Sequence, residues 1–402
     1  MSPSVEVEAE AEAEAAPPGG APERLVAIDW MRGFVMVLMA VDHGSAVMNG
    51  GRLAHDSVWD LTAMGVRPTE GALGAAQFFT RWITHLCAPT FLFLSGTALA
   101  LSTAKRERQG ASAASIDRHL VVRGLVLLGF EVAWMSIVMS AGMGHYAVFL
   151  QVLYAIGLSL VLMAPLRRLP TAALVGVALA WFAVGEALTF ALAPPPSGGP
   201  VAPLSLLFSP DTWAWAAVLY PVTPWLAMMM LGWAFGVHLV RRRATGRGMA
   251  PARLCALWGA GALALFAAVR AWNGYGNMEL LRRDGSFWEW LHVSKYPPSL
   301  SYASLELGVM ALCLAGLFVL QDRIARVSLR NPILVLGQTA LFFYLLHIHL
   351  IGLAGGVAGL VGRGGLPETW AAGLGVVLVL YPACLWYRRY KAEHPDGFAQ
   401  YV

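Results

Sequence analysis

Charge is scarce in this 402-residue chain: Asp, Glu, Lys and Arg make up 13 % of it, against about 25 % in soluble domains. Lysine is scarcer still, with only Lys105, Lys295 and Lys391 beside 25 arginines. The four cysteines, Cys87, Cys255, Cys313 and Cys384, each lie inside an apolar run without CxxC or Cys/His spacing. That excludes a disulfide scaffold or thiolate metal site and reads them as small core residues. There is no P-loop, GxGxxG, HExxH or GxSxG and no internal repeat, and without a phosphate-cradling loop an ATP-driven pump is disfavoured.

What is present is apolar: 57 % hydrophobic residues, 15 Trp, 17 Phe and 16 Met, with mean hydropathy +0.60. A soluble chain so composed would expose large apolar patches. The composition instead predicts an all-α polytopic membrane bundle. Ten apolar segments, near residues 25–47, 77–103, 119–141, 146–166, 171–193, 214–240, 252–272, 299–321, 332–356 and 369–388, are each expected to cross as a helix, because a helix satisfies its own backbone in hydrocarbon.

The net charge of +4 hides a split. Glu6, Glu8, Glu10, Glu12, Glu14 and Glu23 give the first 23 residues −6, leaving +10 on the rest. Residues 1–22 are expected to be a disordered acidic cytoplasmic tail, 23–391 the membrane domain and 392–402 a cytoplasmic C-terminal tail. Counted by alternating side, 20 Lys and Arg fall on one face and 8 on the other, which predicts both termini in the cytoplasm. Arginine over lysine, with abundant Ala and Gly, fits a GC-rich bacterial genome, hence a bacterial cytoplasmic membrane. The basic residues sit in short loops and not on one soluble face, so nucleic-acid binding does not follow.

On this orientation His43, His55, His85, His145, His292, His347 and His349 fall in the outer half, and His119, His238 and His394 on the cytoplasmic side. Ionisable groups within a membrane are costly and mark functional pathways. His43 follows Asp42, although neighbours on a helix do not face each other. In Arg81-Trp-Ile-Thr-His85-Leu-Cys-Ala-Pro89, Arg81 and His85 share a face, and Pro89 frees the His85 carbonyl. Tyr344 and His347 share a face that His349 does not. Glu131, Glu186 and Glu306 each require a partner or a raised pKa. Lys295-Tyr296-Pro-Pro-Ser299 is either a stiff lid or acceptor contact, or a helix cap on Ser299. Tyr220-Pro-Val-Thr-Pro-Trp225 is either a broken helix start lining a cavity or an interfacial anchor. On the cytoplasmic side Asp29 and Arg32 can pair, and Gly33 permits close approach of a ligand or a helix. No metal site is expected.

The stretches Arg24-Leu-Val-Ala-Ile-Asp29-Trp-Met-Arg32-Gly33, Leu38-Met-Ala-Val-Asp42-His43 and Thr80-Arg81-Trp-Ile-Thr-His85-Leu-Cys-Ala-Pro89-Thr-Phe-Leu-Phe-Leu-Ser95-Gly96 resemble bacterial multi-pass proteins related to heparan-alpha-glucosaminide N-acetyltransferase. The likeness continues through Tyr220-Pro221, Pro224-Trp225, Lys295 to Ser299 and Leu341 to His347. The resemblance implies an acetyltransferase that takes acetyl from cytoplasmic acetyl-CoA and passes it to an amine or hydroxyl of an extracytoplasmic glycan. It places Asp29, Arg32 and Gly33 near the donor and the catalytic histidine in the outer region after the first helix, where His43 ranks ahead of His55. The chain lacks the animal enzyme's large lumenal domain, so heparan itself is not implied as substrate. Arg81, His347, Tyr344 and Lys295 are candidate donors around that histidine, Asp42 and His85 are further candidate catalytic residues, and Lys295, Tyr296 and Tyr344 are candidate substrate contacts. A homodimer is left open. The alternatives are a proton-coupled transporter or glycolipid flippase using His43, His85 and Glu131 as a relay, and a non-catalytic scaffold.

Overall fold

The computed structural model describes residues 25–52, 56–59, 74–140, 145–193, 203–213, 215–324, 327–395 and 397–401. The acidic segment 1–22 and His55 lie outside the described residues.

The chain is an all-α polytopic bundle. In order come α1 (Val26–Met48), α2 (Ala75–Trp82), a 3-10 turn (Ile83–Leu86), α3 (Cys87–Arg108), α4 (Ala113–Phe130), a π turn (Glu131–Met135) and α5 (Ser136–Met139). Then follow β1 (Val148–Leu150), α6 (Val152–Leu166), α7 (Thr171–Leu192), β2 (Asp211–Trp213), β3 (Ala216–Val218), α8 (Val222–Thr245) and α9 (Pro251–Trp272). The chain closes with α10 (Phe287–Leu291), α11 (Leu300–Arg323), α12 (Pro332–Gln338), α13 (Ala340–Ala358), α14 (Leu366–Glu393) and a 3-10 turn (Phe398–Gln400).

Among the described residues nine helical segments are long and apolar enough to cross a membrane. They coincide with nine of the ten expected segments. The tenth, 146–166, differs: its helix α6 has 15 residues, about 22 Å at 1.5 Å per residue, short of the ~30 Å hydrocarbon core. Strand β1 precedes it and extends its reach by about 10 Å. Extended backbone at this depth needs outside partners, and β1 finds them in parallel pairing with β3, which pairs antiparallel with β2. Phe149 and Val218 are buried within this sheet, the setting in which non-helical backbone is tolerated. The expected helix 214–240 likewise begins as strand β3 and turns helical at Val222. The expected helix 332–356 is two helices, divided at Thr339, whose hydroxyl donates to the Val335 carbonyl at 2.9 Å.

Helix α1 is central, packing against α11, α12, α13 and α14, while α3 packs along α8. Two glycine contacts allow the closest approaches. A Cβ on Gly33 would lie 1.8 Å from the Ile333 carbonyl oxygen, and one on Gly337 1.9 Å from that of Asp29. Gly96 and Gly232 make the same reciprocal contact between α3 and α8. Backbones meet directly at both crossings, as in helix pairs held by van der Waals packing in lipid.

Candidate active site

Near the Met48 end of α1, Arg81 on α2 joins two carboxylates. Its Nη1 donates to Asp42 Oδ1 at 2.9 Å, and its Nε and Nη2 donate to Asp56 Oδ2 at 2.9 and 2.6 Å. Asp42 also accepts from Arg52 Nη2 at 2.9 Å and from the Thr84 hydroxyl at 3.0 Å. Asp42 is therefore the partner of two arginines and not of its neighbour His43. Arg81 and His85 share a face, as their spacing predicts, because both serve Asp56: His85 Nε2 lies 3.1 Å from Asp56 Oδ2. Burial alone would raise the pKa of Asp56, but the charge of Arg81 and the contact with His85 outweigh it and hold the group well below the ordinary carboxylate range. Asp56 is thus ionised and can only accept hydrogen bonds.

The carbonyl freed by Pro89 does not stay free. The Tyr302 hydroxyl on α11 donates to the His85 oxygen at 3.0 Å, and the backbone tightens into the 3-10 turn there. Ser299 caps α11, accepting from the Tyr302 amide at 3.0 Å. Lys295 and Tyr296 are pinned to the network through their amides, which donate to the Asp56 carbonyl at 2.8 and 3.3 Å. The Lys295 ammonium stands 5.3 Å from the Tyr296 ring centroid, within cation–π range.

Beside this network His43 Nδ1 lies 2.6 Å from His347 Nε2, with the rings stacked 4.8 Å apart. His347 is fully buried, and its Nδ1 faces the carbonyls of Tyr344 at 2.8 Å and Phe343 at 3.2 Å. Two acceptors require a proton on that nitrogen. In neutral His347, Nε2 is then the lone-pair nitrogen, so His43 Nδ1 carries the shared proton. His43 Nε2 is left with its lone pair, the state needed by a base or nucleophile. Tyr344 stands edge-on to His43, 6.4 Å between centroids. His349, on another face, meets the Trp134 carbonyl instead.

Tyr344 also lines a cavity of about 200 Å³. Arg32, Arg123 and Lys391 line it too, with apolar walls that include Met36, Phe91 and Leu127. Arg32, Met36 and His43 fall within about 40° of one another around α1, with Arg32 and His43 about 16 Å apart along its axis. Arg32 is steadied by Asp29 at 3.3 Å and the Gly337 carbonyl at 3.1 Å. Gln338, another lining residue, donates to Asp29 at 3.3 Å. Asp29 thus orients two lining side chains, and the close approach that Gly33 permits is to helix α12. The Arg123 Nε is buried without a hydrogen-bond partner among the described residues.

The three membrane carboxyls divide clearly. Glu131 accepts from the Gln151 and Tyr154 amides, both at 3.1 Å, and Glu186 from those of Gly276 at 2.8 Å and Met278 at 2.9 Å. Glu306 Oε1 has no partner among the described residues. Among them, too, no group of three or more His, Cys, Asp or Glu is placed to hold a metal. Asp56, Arg123 and Lys391 were not singled out by sequence. Asp56 adjoins His55 in a loop, and the two cations read only as orientation charges.

The family model of the heparan-alpha-glucosaminide N-acetyltransferase catalytic region matches residues 24–268, more than half of the chain. The chain belongs to this family. As a member of the N-acetyltransferase family it is a multi-pass transmembrane acetyltransferase. The matched region contains Arg32, the Asp42–His43 pair, Arg81, His85 and Arg123, while His347 and Lys391 come from beyond it. No curated protein sequence matches the chain.

Proposed function

We propose that the protein takes an acetyl group from acetyl-CoA in the cytoplasm and transfers it to an amine or hydroxyl of a sugar on the far side of a bacterial cytoplasmic membrane. The observation that carries this reading is the cavity. Three cations line it, and its lining residue Tyr344 packs against the His43–His347 pair. The excess of Lys and Arg on alternate loops supports a cytoplasmic Arg32 end. Arg32, Arg123 and Lys391 suit the phosphates of acyl-CoA. The apolar walls suit its pantetheine arm, and the thioester would then lie near Tyr344.

There His43 Nε2 serves as general base or acyl carrier, positioned by His347, and the Tyr344 hydroxyl donates to the developing oxyanion. His55 stays a competing base, since it adjoins Asp56 in sequence. A proton relay through His43, His85 and Glu131 is less well supported, because both carboxylate oxygens of Glu131 are engaged by backbone amides. The test is CoA release from acetyl-CoA by the purified protein, with glucosamine as acceptor. Release is expected in the wild type and lost in a His43→Ala, His55→Ala double variant; a wild-type rate in that variant would sink the assignment of the base.

A further inference from the structure

We propose that His85, oriented by Asp56, is a second general base that takes the proton of the acceptor, separate from the His43–His347 pair. This rests on the acyl-transfer reading above.

The imidazole is held from two directions. Asp56 Oδ2 accepts from Arg81 twice and faces His85 Nε2 at 3.1 Å. Because that carboxylate can only accept, Nε2 carries the proton and Nδ1 holds a lone pair. The backbone of His85 is fixed by the Tyr302 hydroxyl on its carbonyl, and the two rings lie 5.8 Å apart. Yet Nδ1 is buried and has no hydrogen-bond partner among the described residues, in a residue only 3 % exposed. Most buried side-chain nitrogens find a partner, because an unmatched buried acceptor is destabilising. Here one nitrogen is anchored by an ionised carboxylate and the other keeps an unengaged lone pair, the arrangement by which a carboxylate orients a basic imidazole.

Its place in the network assigns it to the acceptor. Arg81 connects Asp56 to Asp42, the residue before His43, so the two imidazoles belong to one polar cluster. Lys295 and Tyr296 are pinned by their amides to Asp56, the residue that holds His85, and Arg32 of the cation group lies towards the other end of α1. In the transfer step the acceptor N–H or O–H proton goes to His85 Nδ1 as the acceptor–acyl bond forms. The bond that breaks is the thioester C–S bond, or the C–N bond to His43 if the acyl group has first moved there. Its electron pair leaves on that sulfur or nitrogen.

The full-length protein in nanodiscs provides the test, as wild type, His85→Gln and Asp56→Asn, with acetyl-CoA binding measured alongside CoA release. Glucosamine is one acceptor. Hydroxylamine, which attacks thioesters and acyl-imidazoles without prior deprotonation, is the other. Both variants are expected to bind acetyl-CoA as the wild type does, to lose glucosamine turnover by about 10²- to 10⁴-fold, and to recover most of it with hydroxylamine. Wild-type glucosamine turnover in His85→Gln overturns the proposal. So does an equal loss with both acceptors, which marks His85 as structural, and so does loss of acetyl-CoA binding in both variants. A wild type that releases no CoA with either acceptor overturns the acyl-transfer reading itself, a different failure.

Discussion

His347 gives its Nδ1 proton to the backbone of its own helix and turns Nε2 towards His43 Nδ1, 2.6 Å away. One buried ring thereby fixes which nitrogen of another is basic. If His43 is the general base or acyl carrier of the transfer, His43→Ala should lower kcat by about 10²- to 10⁴-fold. His347→Phe, which keeps a ring but removes the acceptor, should cost less and should shift the pH profile of kcat. Steady-state CoA release across pH reads both, and an unchanged profile in His347→Phe would mean that His347 does not set the tautomer.

The cation-lined end of the cavity should act on binding alone. Arg123→Ala is expected to raise the KM for acetyl-CoA by about 10- to 100-fold, the size of one charge-assisted hydrogen bond, with kcat held. The effect should be largest for acetyl-CoA and small for a phosphate-free acetyl-pantetheine, which never meets the cation. Equal effects on the two donors would remove Arg123 from phosphate binding.

Arg81 is expected to matter for stability before catalysis. Removing it leaves Asp56, whose side chain is 7 % exposed, with no guanidinium, and breaking a buried pair in this way costs about 3–5 kcal/mol. Arg81→Ala should unfold markedly earlier in detergent thermal scans. Arg81→Lys should rescue little, because a single ammonium cannot span Asp42 and Asp56.

Asp56 also sets a pH window. Its folded-state pKa is depressed, so its contribution to stability is fully present above its unfolded value of about 3.9. It fades as pH falls through the lower folded value. Melting temperatures of wild type and Asp56→Asn should therefore differ by a constant amount between about pH 5 and 8 and converge only in strong acid. A difference that vanishes near neutrality would contradict an ionised Asp56.

At the α1–α12 crossing, Gly337→Ala places a methyl where the Asp29 carbonyl oxygen already sits. The helices must part, at a cost of about 1–3 kcal/mol, and Arg32 should lose its contact with the Gly337 carbonyl. A lowered melting temperature together with a raised KM for acetyl-CoA is expected, whereas Gly261→Ala, at an open position on α9, should change neither.

Much of this was legible in one dimension. Hydropathy marks nine of the ten expected segments because lipid rewards long apolar runs, and Pro89 announces a freed carbonyl because proline has no N–H. The strand starts at Val148 and Ala216 were not legible, since a short apolar run reads equally as helix or strand until its pairing partner is known. Nor was Asp56: its importance comes from Arg81 and His85, some 25 and 29 residues away in the chain, and no local pattern links them. Arg123 and Lys391 look like ordinary loop charges until the fold turns them into one cavity. Which histidine nitrogen is basic depends on carbonyls that only the folded backbone supplies.

The double grip of Arg81 on Asp42 and Asp56 carries a consequence for descent. Changing any one of the three alone passes through a buried, unbalanced charge, so the positions form a single heritable unit. A lineage that abandons Arg81 is expected to have replaced both aspartates as well, and with Asp56 gone His85 would have no anchor to preserve. Among relatives, the four positions should turn over together or not at all.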